Sequence, residues 1–282
     1  MADSNVSFGE QRILGRSGLR VGALGFGSSY GAPASAYERA FERGCNYFYW
    51  GSARREGMGC AIRQLAPRNR DKLVVVLQSY SRMGTILKLS VRSGLKRLKL
   101  DYADVLLLGW FNAMPGNGIM SAAMKLKDAG IVKAIAVSCH ERPMFEQYIK
   151  DPRFDIIMTR YNAAHRGAER EVFPHLDSGK QRPGVVTYTS TRWGFLVNPK
   201  FTPPGMKTPT AADCYRFALT NPNVNLALSG PSTAEEMNAN LRALEAGPLS
   251  SEEMAWMKAV GDHVHQLTSK KVLANPFMQR NQ

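Results

Sequence analysis

A phenol, a guanidinium and an imidazole stand at or just past apolar runs in this chain, and such groups donate protons and bind anions. Tyr49 ends the aromatic run Asn46 to Tyr49, and Arg54 follows in the polar segment Gly51 to Glu56. His140 comes shortly after the apolar run Val132 to Val137. A phenol can give its proton to a carbonyl oxygen, and a nearby cation eases that loss. Arg54 is the cation closest in sequence, suited to lowering a phenol pKa or to holding a carboxylate. Arg160, Tyr161, His165, Arg192 and Trp193 follow later apolar runs and add a cationic, aromatic surface that fits a planar acidic ligand. Plainer roles stand beside these: core packing for Tyr49 and Trp50, loop or cap contacts for His140 and His165. No His, Cys, Asp or Glu grouping has metal-site spacing, and no nucleophile elbow is present. His263 and His265 are two apart on a helical run, which points their rings apart.

Positioning such groups takes strands that end together. Eight apolar runs recur: Leu19 to Gly27, Asn46 to Tyr49, Leu73 to Leu77, Asp104 to Leu108, Val132 to Val137, Phe154 to Met158, Gly184 to Tyr188 and Asn223 to Leu228. Continuous Val, Ile and Leu suit strands covered on both faces. Between them lie stretches of helical period: Ala34 to Gly44, Gly57 to Ala66, Thr85 to Lys99, Ile119 to Gly130, Glu141 to Lys150, Ala168 to Ser178, Thr210 to Thr220 and Thr233 to Leu244. Alternation of this kind predicts a parallel sheet, and eight of each predicts closure into a barrel. Residues just after the strands then share one face. Arg12 to Leu19 reads as a hairpin around Ser17-Gly18 that plugs the other face. Ser250-Ser-Glu-Glu opens a capped extra helix, Glu252 to His265, and Lys270 to Gln282 has little periodicity.

At 282 residues the chain fits one domain, 1–282, of the (β/α)8 TIM-barrel class, with an N-terminal β-hairpin plug and an extra C-terminal helix. No apolar run approaches the roughly 20 residues that span a bilayer. Met1 to Glu10 has neither a basic start nor an apolar stretch, so the expected location is the cytoplasm. Cys45, Cys60, Cys139 and Cys214 are scattered and read as free thiols. The net charge of +14 concentrates between Arg63 and Lys99, where Asp71 is the only acid. Lys88, Arg92, Lys96 and Lys99 recur at helical spacing as a basic stripe. It is either a solvated outer face or a dock for an acidic protein partner. No nucleic-acid module accompanies it.

Leu14-Gly-Arg-Ser-Gly-Leu-Arg-Val21 and Gly44-Cys-Asn-Tyr-Phe-Tyr49-Trp-Gly-Ser-Ala-Arg54 together resemble the aldo-keto reductases. Asp101-Tyr-Ala-Asp104-Val-Leu-Leu-Leu-Gly-Trp110 is similar to that family's Asp-Tyr-Ile-Asp-Leu-Tyr-Leu-Ile-His-Trp. Arg160-Tyr-Asn, Val186-Thr-Tyr188-Thr-Ser and Leu228-Ser-Gly230-Pro-Ser232-Thr-Ala-Glu-Glu236-Met-Asn-Ala-Asn240 resemble three later family segments. The resemblance implies a nicotinamide cofactor and a proton-donating Tyr tuned by Lys and Asp, with a His orienting the substrate. The corresponding positions hold Arg54, Gln78, Tyr49 and Gly109, so the usual donor set is absent. Ser138 matches the carboxamide contact, with Cys139 and Met158 where the family has Asn and Gln. Tyr188 matches the ring on which nicotinamide stacks. Gly230, Ser232 and Asn240 match the segment that holds the adenosine phosphates, where a helix start favours an anion. Glu236, at a position often held by Arg or Gln, suits a free ribose 2′-hydroxyl and tilts the expectation from NADP to NAD.

These readings predict an NAD(P)-dependent oxidoreductase with a non-standard catalytic set, reducing a small acidic or conjugated carbonyl or imine. Tyr49, Arg54 and His140 are its candidate catalytic residues. The alternative is a catalytically dead nucleotide-binding or partner-binding protein on the same fold, and a third is unrelated lyase or isomerase chemistry.

Overall fold

The computed structural model describes residues 7–177 and 181–274, with side chains described through residue 268. Two short strands, β1 (Arg12–Ile13) and β2 (Arg20–Val21), pair antiparallel as a hairpin. Eight more form a closed parallel barrel in chain order: β3 (Leu24–Gly27), β4 (Tyr47–Trp50), β5 (Val74–Ser79), β6 (Ala103–Leu108), β7 (Val132–Ser138), β8 (Ile156–Arg160), β9 (Gly184–Tyr188) and β10 (Leu226–Ser229). Strand β10 pairs with β3 to complete the ring. The helices surrounding it are α1 (Ala34–Glu42), α2 (Gly57–Asn69), α3 (Gly84–Leu98), α4 (Asn117–Asp128), α5 (Phe145–Lys150), α6 (Ala168–Glu171), α7 (Ala211–Thr220) and α8 (Ala234–Ala246). A ninth, α9 (Ser251–Ala274), follows.

Three expectations change. The run Leu19 to Gly27 is two strands, since Arg20 and Val21 belong to the hairpin and the barrel strand begins at Leu24. Within Ala168 to Ser178, α6 stops at Glu171 and a 3₁₀ turn, Phe173–His175, follows; Ser178 lies outside the described residues. Pro174 explains the break, because it lacks an N–H and its ring crowds the preceding turn. The extra helix runs beyond His265 to Ala274, so part of the expected aperiodic tail is helical, and 275–282 lie outside the described residues.

The hairpin closes the bottom. Leu14 is buried within the barrel's interior cluster, beneath Val74, Val105 and Leu226. Arg16 locks the plug by donating to the carbonyls of Ile149, Asp151 and Phe154 at 2.9–3.0 Å. Gly15 has φ +51°, and a Cβ there would lie 2.0 Å from the Gly184 nitrogen, so no larger residue fits without moving the plug.

A fourfold polar device fastens the same end. Asn46, Asp104, Asp155 and Asn225 sit at the starts of alternate strands, β4, β6, β8 and β10. Each accepts a backbone N–H from the neighbouring stretch of chain before it: Gly22 just ahead of β3, Val75 of β5, Ile135 of β7 and Val185 of β9, at 2.8–3.0 Å. Asp104 also binds Arg70 at 2.8 Å and Lys133 at 3.0 Å, and Asp155 binds Lys127 at 2.6 Å. Stability is thus invested at the N-terminal end, leaving the other end for function.

Strand parity carries the interior upward. Side chains alternate, so Tyr47 inward implies Tyr49 inward, and Val76 implies Gln78. Ser138 on β7 is level with Met158 on β8, and one inward rung higher Arg160 on β8 is level with Tyr188 on β9. Gly25 makes room for the Tyr47 ring, which would lie 2.8 Å from a Cβ there.

On the outside of α3, Arg92, Lys96 and Lys99 are exposed and Lys88 is half-buried. Met83, Ile86 and Leu89 form an exposed apolar stripe at the same helix's start. Among the described residues, no helix is long and apolar enough to cross a membrane.

Candidate functional site

A cavity of about 890 Å³ opens over the C-terminal ends of the barrel strands. Tyr49, Gln78, Ser138, His140 and Tyr188 line it, joined by Trp193 from the loop after β9. A second cavity of about 560 Å³, reaching Glu236 and Asn240 on α8, shares Tyr30, Thr189, Trp193, Leu228 and Gly230 with the first. The two make one cleft from the barrel mouth to the start of α8.

Tyr49 donates its phenolic proton to Gln78 Oε1. Burial holds its pKa well above the ordinary phenol value, and the nearby Tyr80, Tyr47 and Tyr30 phenols add to the rise. Tyr49 therefore keeps its proton at neutral pH and can only give it to a strong base, such as an alkoxide forming in the site. Gly109 is the reason Gln78 and Tyr80 fit beside it. A Cβ at Gly109 would lie 2.5 Å from Gln78 Nε2 and 2.9 Å from the Tyr80 ring. Tyr80, 59% exposed, thus stands in the room that a side chain at position 109 would take.

His140 sits in an aromatic frame, edge-on to Trp110 at 5.2 Å and to Tyr188 at 6.1 Å. Its Nδ1 lies 3.2 Å from Arg160 Nη2 and 3.2 Å from the Tyr188 hydroxyl. A guanidinium only donates, so Nδ1 is the acceptor and the imidazole proton resides on Nε2. Burial, then Arg160, lowers the His140 pKa to about 4. The ring is neutral at working pH and serves as a hydrogen-bond donor, not a proton source. His165 is lowered further, to about 3, by burial and then by Arg192 and Arg160. In the unfolded chain both rings regain ordinary pKa values near 6.5 and bind protons the folded protein refuses. Stability is therefore full above about pH 6.5 and falls as pH drops towards 4. Thermal melts across that range are expected to show this decline, and His140→Asn or His165→Asn to flatten it.

Arg54 is corrected by the structure. It is exposed and outside both cavities. Ser52 is held to Ser28, while Arg97 of α3 takes the Ala53 carbonyl at 3.2 Å and the Glu56 carboxylate. These anchors draw the loop outward over α3, away from Tyr49. Tyr161 is also absent from the mouth: it is buried and donates to Glu169 at 2.6 Å. The first cavity is lined by Arg82 instead, and Arg160 and Arg192 stand behind its lining residue Trp193.

On the cofactor side, Ser138 Oγ accepts the Trp110 N–H at 2.9 Å, which leaves its own proton free to donate into the cavity. Tyr188 presents a half-buried ring to the same space, and burial raises its pKa to about 12. Gly230 lies under Tyr30, whose ring would be 2.3 Å from a Cβ there. Asn240 is buried and donates to Ser229 Oγ at 2.9 Å, holding that strand end to α8. Ser232 and Glu236 are exposed at the helix start, where Glu236 Oε2 accepts the Ser232 N–H at 2.6 Å and Thr233 caps the Glu236 N–H at 3.1 Å. Neutral donors, a flat ring and an open helix start suit a nicotinamide dinucleotide. Tyr80, Trp110 and Tyr30 were not singled out as candidates from sequence, and Gln78 was named only as the residue in the place of the family's Lys. Strand parity also turns Gln78 inward, as the rung above Val76. Among the described residues no group of three or more His, Cys, Asp or Glu could hold a metal ion.

An eight-stranded parallel barrel with a cleft at its C-terminal face and a helix start at one end of it defines a barrel of the enzyme-bearing class. The aldo/keto reductase family model matches residues 21–213, and the chain belongs to that family. It is 24% identical to L-galactose dehydrogenase from Arabidopsis thaliana, over 92% of this chain and 96% of that protein. Among solved structures it is similar to the aldo-keto reductase AKR11C1 from Bacillus halodurans in its holo form: TM-score 0.74, 21% identity, 89% and 96% of the two chains. It is also similar to an aldo/keto reductase from Klebsiella pneumoniae in complex with NADP and acetate: TM-score 0.72, 18% identity, 90% and 96% covered.

Proposed function

We propose that this chain is an NAD(P)-dependent oxidoreductase that reduces a small acidic or conjugated carbonyl or imine compound. The carrying observation is the single cleft that joins Tyr49, Ser138, His140 and Tyr188 to Gly230 and the start of α8. When bound there, a reduced nicotinamide cofactor would supply hydride. Ser138 and the Tyr188 ring would hold the cofactor's reactive end. Tyr49 gives its proton to the oxygen or nitrogen that becomes basic, and the neutral His140 donates a hydrogen bond through Nε2. The buried walls exclude water and strengthen both contacts. A bound NADP and acetate in the Klebsiella relative, and the dehydrogenase name of the Arabidopsis one, lend family-level support.

NAD is favoured over NADP. Glu236 places a carboxylate on the Ser232 N–H at the helix start, where a 2′-phosphate would meet like charge and a free 2′-hydroxyl would not. Titration by calorimetry is expected to give tighter binding of NADH than NADPH. Glu236→Arg is expected to shift the ratio of affinities towards NADPH by about tenfold, roughly 1.4 kcal/mol. No binding of either form at millimolar concentration would sink the oxidoreductase reading.

A second reading has its own observation. The exposed Met83, Ile86 and Leu89 run into the basic Arg92, Lys96 and Lys99 on α3, a surface suited to an acidic, partly apolar protein partner. On that reading the barrel binds nucleotide without turnover and acts through the partner.

A further inference from the structure

Arg192 is 1% exposed, and its Nε and Nη1 have no hydrogen-bond partner. A buried guanidinium without an anion is a costly arrangement, and proteins keep such groups paired. Arg160 stands close by with its own buried Nε unpartnered. Both guanidinium groups lie over the Trp193 ring, at 5.2 Å for Arg160 and 5.1 Å for Arg192, and Trp193 lines both cavities of the cleft.

The acids nearby are committed elsewhere. Glu171 pairs with Arg142 at 3.0 Å, Glu169 accepts from Tyr161 at 2.6 Å and Asp262 pairs with Arg166 at 2.7 Å. Among the described residues no carboxylate forms an ion pair with Arg160 or Arg192. The field of this unneutralised charge is felt by its neighbours. Burial first and then Arg160 lower His140, burial and then Arg192 and Arg160 lower His165, and burial with Arg160 beside it brings Arg192 down to about 10. Positive charge is thus concentrated behind Trp193 and His140, which line the cleft, with no carboxylate paired to it among the described residues.

We infer that Arg160 and Arg192, flanking Trp193, form an oxyanion subsite that receives the carboxylate of the substrate. A planar carboxylate matches the two-pronged donor edge of a guanidinium, and an indole beside it suits a conjugated or aromatic body. The subsite replaces Arg54 as the anion-holding element of the cleft. The inference deepens the oxidoreductase reading by naming the substrate's charged group. Its test reads binding without turnover, so the two can fail separately.

The probes are benzoate, its uncharged analogue benzamide, and inorganic pyrophosphate, each titrated into the full chain by calorimetry. Benzoate is expected to bind at least tenfold more tightly than benzamide. Arg192→Met is expected to abolish that preference while the ligand-free protein melts no lower than the parent, because an unpaired buried charge has been removed. Arg160→Met, at a less buried position, is expected to weaken benzoate in the same direction, and Arg192→Lys to restore part of it. Equal binding of benzoate and benzamide would overturn the subsite, as would full benzoate affinity in both Met variants. Loss of pyrophosphate binding alone in those variants would overturn the carboxylate assignment and make the pair a phosphate site.

Discussion

Tyr49→Phe is expected to lower kcat by about 10²–10⁴-fold with KM nearly unchanged, the loss typical of a missing general acid. The phenol lies in the cavity, hydrogen-bonded to Gln78, and Phe removes one oxygen without altering the packing of the ring. Its raised pKa means no deprotonated form accumulates at neutral pH, so activity should stay flat through pH 7–9 on account of this group. The measurement is steady-state oxidation of NADH or NADPH with acidic conjugated carbonyls, for parent and variant. Full activity in the variant would remove Tyr49 as the donor and turn attention to Tyr80, the exposed phenol beside it.

Asp104→Ala is expected to cost about 3–5 kcal/mol of folding stability, the range for breaking a buried ion pair by deleting one partner. Asp104 is buried and serves three donors at once: Arg70, Lys133 and the Val75 N–H. Removal leaves Arg70 half-buried against the strand ends and a barrel N–H without an acceptor. Asp104→Asn retains an acceptor for Val75 and should cost clearly less. Urea denaturation of both variants, read at matched slope, checks the order. A loss below about 1 kcal/mol for the Ala variant would mean the fourfold device is redundant.

The barrel was legible because its evidence is local. Val74-Val-Val-Leu77 and Val105-Leu-Leu-Leu108 are long enough, and apolar enough, to demand cover on both faces. Gly184 to Tyr188 is a strand with the expected bounds. Failures came where one chemical detail overrode periodicity. Pro174 ended α6 early, and the break at Gly22 and Ala23 divided the first apolar run between hairpin and barrel. In the site, Tyr49, Ser138, His140 and Tyr188 converge because each lies at or just past a strand's C-terminal end, and parity turns the strand residues inward. Arg54, five residues beyond Tyr49, has no such constraint. Its direction was set by Arg97, far away in sequence, pulling on Ala53 and Glu56.

The sequence by itself determined the alternation, the closed barrel, the family and the ring of upper-register side chains, because those follow from side-chain period and strand ends. Only the tertiary structure decided which charges line the cleft and which gather behind it. Arg160 and Arg192 arrive from separate strand ends and meet at Trp193, and Tyr80 enters room left by Gly109. Local pattern encodes which way a strand residue points. The sum of fields in a buried site depends on groups tens of residues apart, and that is fixed only when the barrel closes.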